Sequence, residues 1–85
     1  MKEFQYVIQD ENGIHARPAG LLSRKAQSFQ SETQVSFEGK SADMKRLFAL
    51  MGLNIKKGAK ISVQVNGSDE TIAAKELEDF IRKNL

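Results

Sequence analysis

The stretch Ile61-Ser62-Val63-Gln64-Val65-Asn66-Gly67-Ser68-Asp69 decides the fold class. Its apolar residues fall on every second position, the pattern of a strand with one buried face. Asn66-Gly67 is a turn dipeptide. Ser68 or Asp69 then offers the short polar side chain that caps a helix. Beyond it Ala73, Leu77, Phe80 and Ile81 return at three- and four-residue spacing, so the strand hands over to a final amphipathic helix.

Working outward, the same two periods alternate along the chain. A brief apolar helix is predicted over 46–53, followed by Asn54, which tolerates the left-handed conformation that ends helices. Thr33, Val35 and Phe37 alternate as a strand, and Glu38-Gly39 turns into a short strand at 40–43. Ala19, Leu22, Ala26 and Phe29 mark a helix over 16–28. Phe4, Tyr6 and Ile8 mark a first strand, and Asn12-Gly13 beyond it is a turn signal. The order is βαββαβα. Alternating strands give the sheet one apolar face, and only the helices are available to cover it. The expected class is α/β, of the α+β kind: an open-faced β-sandwich whose four-stranded, mainly antiparallel sheet is covered on one face by three helices. Periodicity leaves the strand order open.

Length and composition narrow the chemistry. Eighty-five residues make one small domain, 1–85, with no room for a second core. With no cysteine and one histidine, disulfides, Cys-based zinc sites and His pairs are excluded, and no metal is expected. The longest apolar run, Leu47 to Leu53, is far short of the roughly 20 residues of a membrane span. Met1-Lys2-Glu3-Phe4 does not begin a secretory signal, so a cytoplasmic protein is expected. Net charge is only +2, but it is unevenly spread. Residues 15–30 carry Arg17, Arg24 and Lys25 with no acid. Residues 40–60 set six basic groups against Asp43 alone. Such segments are either solvated surface or a steering field for an acidic partner.

The chemistry concentrates in Asn12-Gly13-Ile14-His15-Ala16-Arg17-Pro18-Ala19. His15 stands where the first helix begins, at the position of a cap. Pro18 falls in the first turn, where a missing amide hydrogen costs nothing. The unpaired amides of Ala16 and Arg17 then point outward, and the helix dipole adds positive charge. That is an anion site suited to phosphate, and Arg17 could add a guanidinium fork. Positive surroundings would disfavour imidazolium and keep His15 nucleophilic. From the residues alone, His15 reads as such an acceptor or as an ordinary surface histidine.

The segment Gly13-Ile14-His15-Ala16-Arg17-Pro18-Ala19 resembles the active-site signature of the HPr family, the histidine phosphocarriers of the bacterial sugar phosphotransferase system. The resemblance extends through Gly39-Lys40-Ser41-Ala42 and Lys45 to Gly58, and in length and element order it covers essentially the whole chain. It implies a strand order of 1-4-2-3. It implies that His15 accepts phosphate at Nδ1 from enzyme I, which takes it from phosphoenolpyruvate, and passes it to the IIA domains of sugar permeases. Arg17 matches the family arginine beside the phosphate, and the second helix matches the one that contacts partners. The expected protein is a carrier and not an enzyme, a monomer needing no cofactor, with no nucleic acid or membrane insertion.

The second helix suits docking on its own terms. Met44, Leu47, Phe48 and Met51 share one helical face, while Leu50 and Leu53 occupy another. Either all six pack into the core, or one face stays exposed as a docking surface. The expected partner-binding set is Leu47, Phe48 and Met51 with Arg24, Lys45 and Arg46 around them. Gly20, where relatives often carry a larger residue, would permit close approach. Many relatives have a serine at position 46 that a kinase phosphorylates to control catabolite repression. Here the residue is Arg46, which cannot accept that phosphate.

Four other readings compete. A related carrier in a regulatory or nitrogen-linked chain would share the chemistry and differ in partners. A docking module without phosphate could dispense with His15. Nucleic-acid binding is disfavoured by the small net charge and the lack of an RNA-recognition motif. A hydrolase would need a second group to activate water.

Overall fold

The computed structural model describes residues 1–85. It contains β1 (Lys2–Val7), α1 (Ala16–Gln27), β2 (Glu32–Phe37), β3 (Lys40–Asp43), α2 (Leu47–Gly52), β4 (Lys60–Asn66) and α3 (Glu70–Asn84). The strands form one sheet in the order β1-β4-β2-β3, every neighbouring pair antiparallel. The open-faced α+β architecture and the 1-4-2-3 order expected from the sequence are both present.

The alternation in β4 does what its period dictates. Ile61, Val63 and Val65 are buried beneath the helices, while Ser62 and Gln64 face the other way. Each buried side chain contributes about 1.5–3 kcal/mol by leaving water. On the open face, β4 residues pair across to both neighbours: Gln64 stands opposite Glu3 and Gln34, and Ser62 opposite Gln5 and Ser36. The Gln64 side-chain amide and the Ser62 hydroxyl both donate to Glu3 Oε2, each at 2.9 Å. Those bonds, Gln64 first, hold the Glu3 carboxyl below its ordinary range.

From above, Leu22 and Ala26 of α1, Leu50 of α2, and Ala73, Leu77 and Ile81 of α3 close the core without exposure. Phe29 and Phe80, predicted in the stripes, are only partly buried at its margin. No helix is long and apolar enough to cross a membrane.

Three local expectations are corrected. The first strand ends at Val7, one residue before Ile8. Ile8 nevertheless stays in the core, and its backbone bonds to the loop before β4, through Ala59 O at 2.9 Å and the Gly58 N–H at 2.8 Å. The second helix is shorter than predicted. Asp43 captures the Lys45 amide with its side chain at 2.9 Å and the Arg46 amide with its carbonyl at 3.0 Å, forming a turn that delays the helix to Leu47. Met44 therefore lies before the helix, fully buried, and is not part of its outer face. Asn54 does follow α2 in the left-handed conformation, at φ 56°.

The third correction concerns Asp69. It occupies the N-cap position of α3, yet its side chain caps nothing. Its carboxylate reaches across to the turn before β2, accepting the amides of Gln30 at 2.8 Å and Ser31 at 2.9 Å and the Ser31 hydroxyl. Gly67 makes this approach possible, since a Cβ there would stand 2.6 Å from Ser31 Cα.

Candidate functional site

The loop between β1 and α1 is held from three directions. Asp10 O accepts the Gly13 amide at 2.9 Å, and Asp10 Oδ1 accepts the Asn12 amide at 2.8 Å, an Asx turn. Leu85 O accepts the amides of Gln9 at 2.6 Å and Asp10 at 2.8 Å. The Ile14 amide donates to Ile55 O at 3.0 Å, and Ile14 itself is buried. Gly13 is required here: at φ +65° its absent Cβ would lie 2.2 Å from Ile55 O and 2.7 Å from Lys56 Cα. The loop thus delivers His15 to the start of α1 as a fixed point.

His15 is the N-cap residue, in extended conformation at φ −106° and ψ −179°, and its ring makes no capping bond. The first bond of the helix runs from the Ala19 amide to His15 O at 2.9 Å. The amides of Ala16 and Arg17 precede it and have no partner, and Pro18 has no amide hydrogen. Two free N–H groups and the positive end of a twelve-residue helix therefore surround the base of the ring. No acid lies in the first turn to neutralise them. Ala16 and Arg17 are exposed, Pro18 and Ala19 buried. A depression of about 190 Å³ opens here, lined by Asp10, His15, Arg17, Pro18, Leu21 and Asn84.

One expectation about this site needs correction. The surroundings of His15 are not wholly positive, because Asp10 Oδ2 stands 4.0 Å from His15 Nε2. The Asx turn that shapes the loop aims that carboxylate at the ring. Asp10, Leu21 and Asn84 are the residues of the depression that the sequence did not suggest. Leu21 carried a usable signal, an apolar residue off the buried Ala19–Leu22–Ala26 stripe, and its exposure is 44%. Asn84 reaches the site only through the packing of α3, which no local pattern encodes.

The basic residues divide into two groups. Arg17, Arg24 and Arg46 are exposed and form no ion pair. Lys25 and Lys45 are engaged internally: Lys25 bridges to Glu76 of α3 at 3.2 Å, and the Lys45 ammonium donates to Phe29 O at 2.9 Å. Lys45 is therefore less available to a partner than its sequence position suggests. Gly20 faces open space, with nothing within 4 Å of where a Cβ would lie.

The two-sided apolar helix resolves unequally. Leu50 and Leu53 enter the core, Leu47 and Met51 lie half-buried against it, and Phe48 is 85% exposed. Two bonds fix α2 against α1 and the loop that leads into it. Gln27 of α1 donates to Lys45 O at 2.8 Å ahead of α2, and Ile14 donates to Ile55 O beyond it. The exposed ring of Phe48 lies on α2, Arg17 and Arg24 on α1, and Arg46 at the N-cap of α2.

Comparison with known proteins gives a consistent result. The family model described as the PTS HPr component phosphorylation site matches residues 2–83. Among solved structures, a histidine-containing phosphocarrier protein of Mycoplasma superposes with a TM-score of 0.94 at 29% identity, over 96% of this chain and 93% of that one. HPr of Thermoanaerobacter tengcongensis gives 0.93 at 34% identity, over 98% and 93%. The catabolite repression protein Crh of Bacillus subtilis, solved as a domain-swapped dimer, gives 0.79 at 26% identity, over 100% and 98%.

Proposed function

This chain belongs to the HPr family of phosphotransferase-system phosphocarriers, and from that premise we propose that His15 takes a phosphoryl group from phospho-enzyme I and hands it to IIA domains of sugar permeases. The family role is that of a carrier, not a catalytic enzyme. In this reading residues 1–85 act as one carrier domain in the cytoplasm.

The observation that supports the reading most directly is the histidine ring at the head of a helix whose first two amides are unpaired. A phosphoryl group on Nδ1 would bring its oxygens to the N–H groups of Ala16 and Arg17, where donors and dipole favour negative charge. The Arg17 guanidinium forms no ion pair and is free to join them. These groups need no rearrangement when the charge arrives, so they stabilise the transferring group as it passes.

Leu47, Phe48 and Met51 form the apolar centre of the partner surface, and Arg17, Arg24 and Arg46 its basic rim, with Lys45 and Gly20 nearer its edge. An exposed aromatic ring beside unpaired arginines has the composition of an interface hot spot. The carrier acts in this reading as a monomer. Light scattering of the purified protein checks this against the swapped dimer known for Crh.

The deciding experiment is incubation with enzyme I and labelled phosphoenolpyruvate. One phosphoryl group per chain, alkali-stable and lost in acid, is expected of a phosphohistidine. Absence of label from the folded protein rejects the assignment.

A further inference from the structure

We infer that Asp10 is a positioning residue for His15: held at the Nε2 edge of the ring, its carboxylate keeps the imidazole proton on Nε2 and so presents the Nδ1 lone pair for transfer. The chemistry rests on the phosphocarrier reading above, whereas the placement rests on the geometry alone.

Every other hydrogen-bonding group of Asp10 is already committed. Its amide donates to Leu85 O, its carbonyl accepts from Gly13, and its Oδ1 accepts from Asn12. Only Oδ2 is left, and it faces His15 Nε2 at 4.0 Å. That separation is longer than a hydrogen bond. Contacts of this kind are commonly long in the resting protein and tighten when the reacting partner closes over the site. Of the residues lining the depression besides His15, only Asp10 and Arg17 are charged, since Pro18, Leu21 and Asn84 carry no charge.

A neutral imidazole has one N–H and one lone pair, and the neighbour of one nitrogen decides which is which. An ionised carboxylate only accepts, so the nitrogen beside it is the one that keeps the proton. With Nε2–H facing Asp10, the lone pair stands on Nδ1. In transfer that pair forms the new N–P bond, while the P–N bond of the donor breaks and its electrons return to the donor's ring. The Nε2 proton stays in place, and the ring becomes a cation that Asp10 faces. In the onward step the bond from Nδ1 to phosphorus breaks, its electrons return to Nδ1, and neutral imidazole is left with the same proton on Nε2. One carboxylate therefore serves both directions.

The substitution Asp10→Asn separates this role from a structural one. The amide oxygen can still accept the Asn12 amide, which turns the NH₂ toward Nε2. An amide donor there demands a lone pair on Nε2 and drives the proton to Nδ1, the unproductive form.

Nitrogen-15 NMR of the imidazole in alkaline solution tests the inference without any partner protein. The parent chain should show the Nε2–H form, Asp10→Asn should shift toward Nδ1–H, and Asp10→Ala should show a mixture. Phosphoryl transfer from enzyme I should fall at least roughly tenfold in Asp10→Asn and less in Asp10→Ala. A parent ring protonated mainly on Nδ1, or an Asp10→Asn protein with the parent's tautomer and rate, overturns the proposal. If Asp10→Asn does not fold, Asp10→Ala decides: loss of the tautomer preference supports the role and its retention refutes it. A chain that took no phosphate at all would reject the phosphocarrier reading and leave the tautomer measurement standing.

Discussion

Gly13 and Ile55 touch backbone to backbone, so closely that a Cβ on Gly13 would lie 2.2 Å from the Ile55 carbonyl oxygen. This contact, with the bond from Ile14 to the same oxygen, seats the His15 loop against the segment that follows α2. Gly13→Ala meets two costs. The left-handed backbone alone disfavours a side chain by about 1–2 kcal/mol, and the clash must separate two hydrogen-bonded strands of chain. A total loss above about 2 kcal/mol is expected in urea unfolding, with slower phosphate acceptance by whatever protein remains folded.

His15→Ala should leave the fold unchanged, since the ring caps nothing and is partly exposed. Stability within about 0.5 kcal/mol of the parent is expected, as for other surface changes, together with complete loss of acid-labile label. Arg17→Ala should be equally stable but slow transfer at least tenfold, about 1.4 kcal/mol of barrier. Stopped-flow transfer from phospho-enzyme I measures this directly. Full activity in Arg17→Ala would assign the guanidinium to solvent.

Phe48 tests the docking surface. Burial of its ring would make Phe48→Ala cost about 3–5 kcal/mol. At 85% exposure the expected change is within about 0.5 kcal/mol. Binding to enzyme I should weaken by about 2 kcal/mol if the ring is a hot spot. Salt should slow association through the arginine rim and leave the Phe48 effect nearly intact. Calorimetry and association kinetics at two ionic strengths separate the two.

Arg46 predicts freedom from serine-kinase control. It stands where many relatives carry the phosphorylated serine, and it holds the N-cap of α2 exposed and unpaired. A phosphoserine would face an acidic partner with negative charge, whereas arginine keeps the spot positive. Incubation with HPr kinase and ATP should yield no phosphoserine, and Arg46→Ser should restore an acceptor. Stoichiometric modification of the unaltered chain, at Ser41 or elsewhere, would show that the switch had moved.

Acid stability should depend on Asp69. Its carboxyl is held below the ordinary value of 3.8, first by the Ser31 hydroxyl and then by the Gln30 amide. A group depressed in the folded state stabilises fully above its unfolded value and loses that contribution as pH falls through the folded one. The parent should therefore lose stability in the acid region below about 3.8. Asp69→Asn should be less stable at neutral pH and show a shallower acid limb in thermal melts.

The fold was legible because periodicity switches cleanly. Val63 and Val65 could only line one face of a strand, and Leu77 and Ile81 one face of a helix. The strand order rested on likeness to a family, because alternation in β1 and β4 is the same whichever strands adjoin. At the site, His15 and Arg17 were readable from a contiguous motif. Asp10 was not, because its role depends on an Asx turn that bends its carboxylate back to the ring. Asp69 stands at an expected cap position, but nothing local reveals that Gly67 lets the Ser31 turn come within reach of its carboxylate. Lys45 reads in the sequence as a free cation, because no local pattern reveals the Phe29 carbonyl that its ammonium meets.

The bonds from Gln9 and Asp10 to Leu85 join positions separated by almost the whole sequence. Ribosomes release roughly 5–20 residues per second, and pairings of such long range form last. A growing chain therefore holds its histidine in an unfinished loop until α3 has emerged and docked. A chain stopped before α3 would carry the signature motif yet lack this clamp, and is expected to take phosphate from enzyme I more slowly than the chain that includes α3.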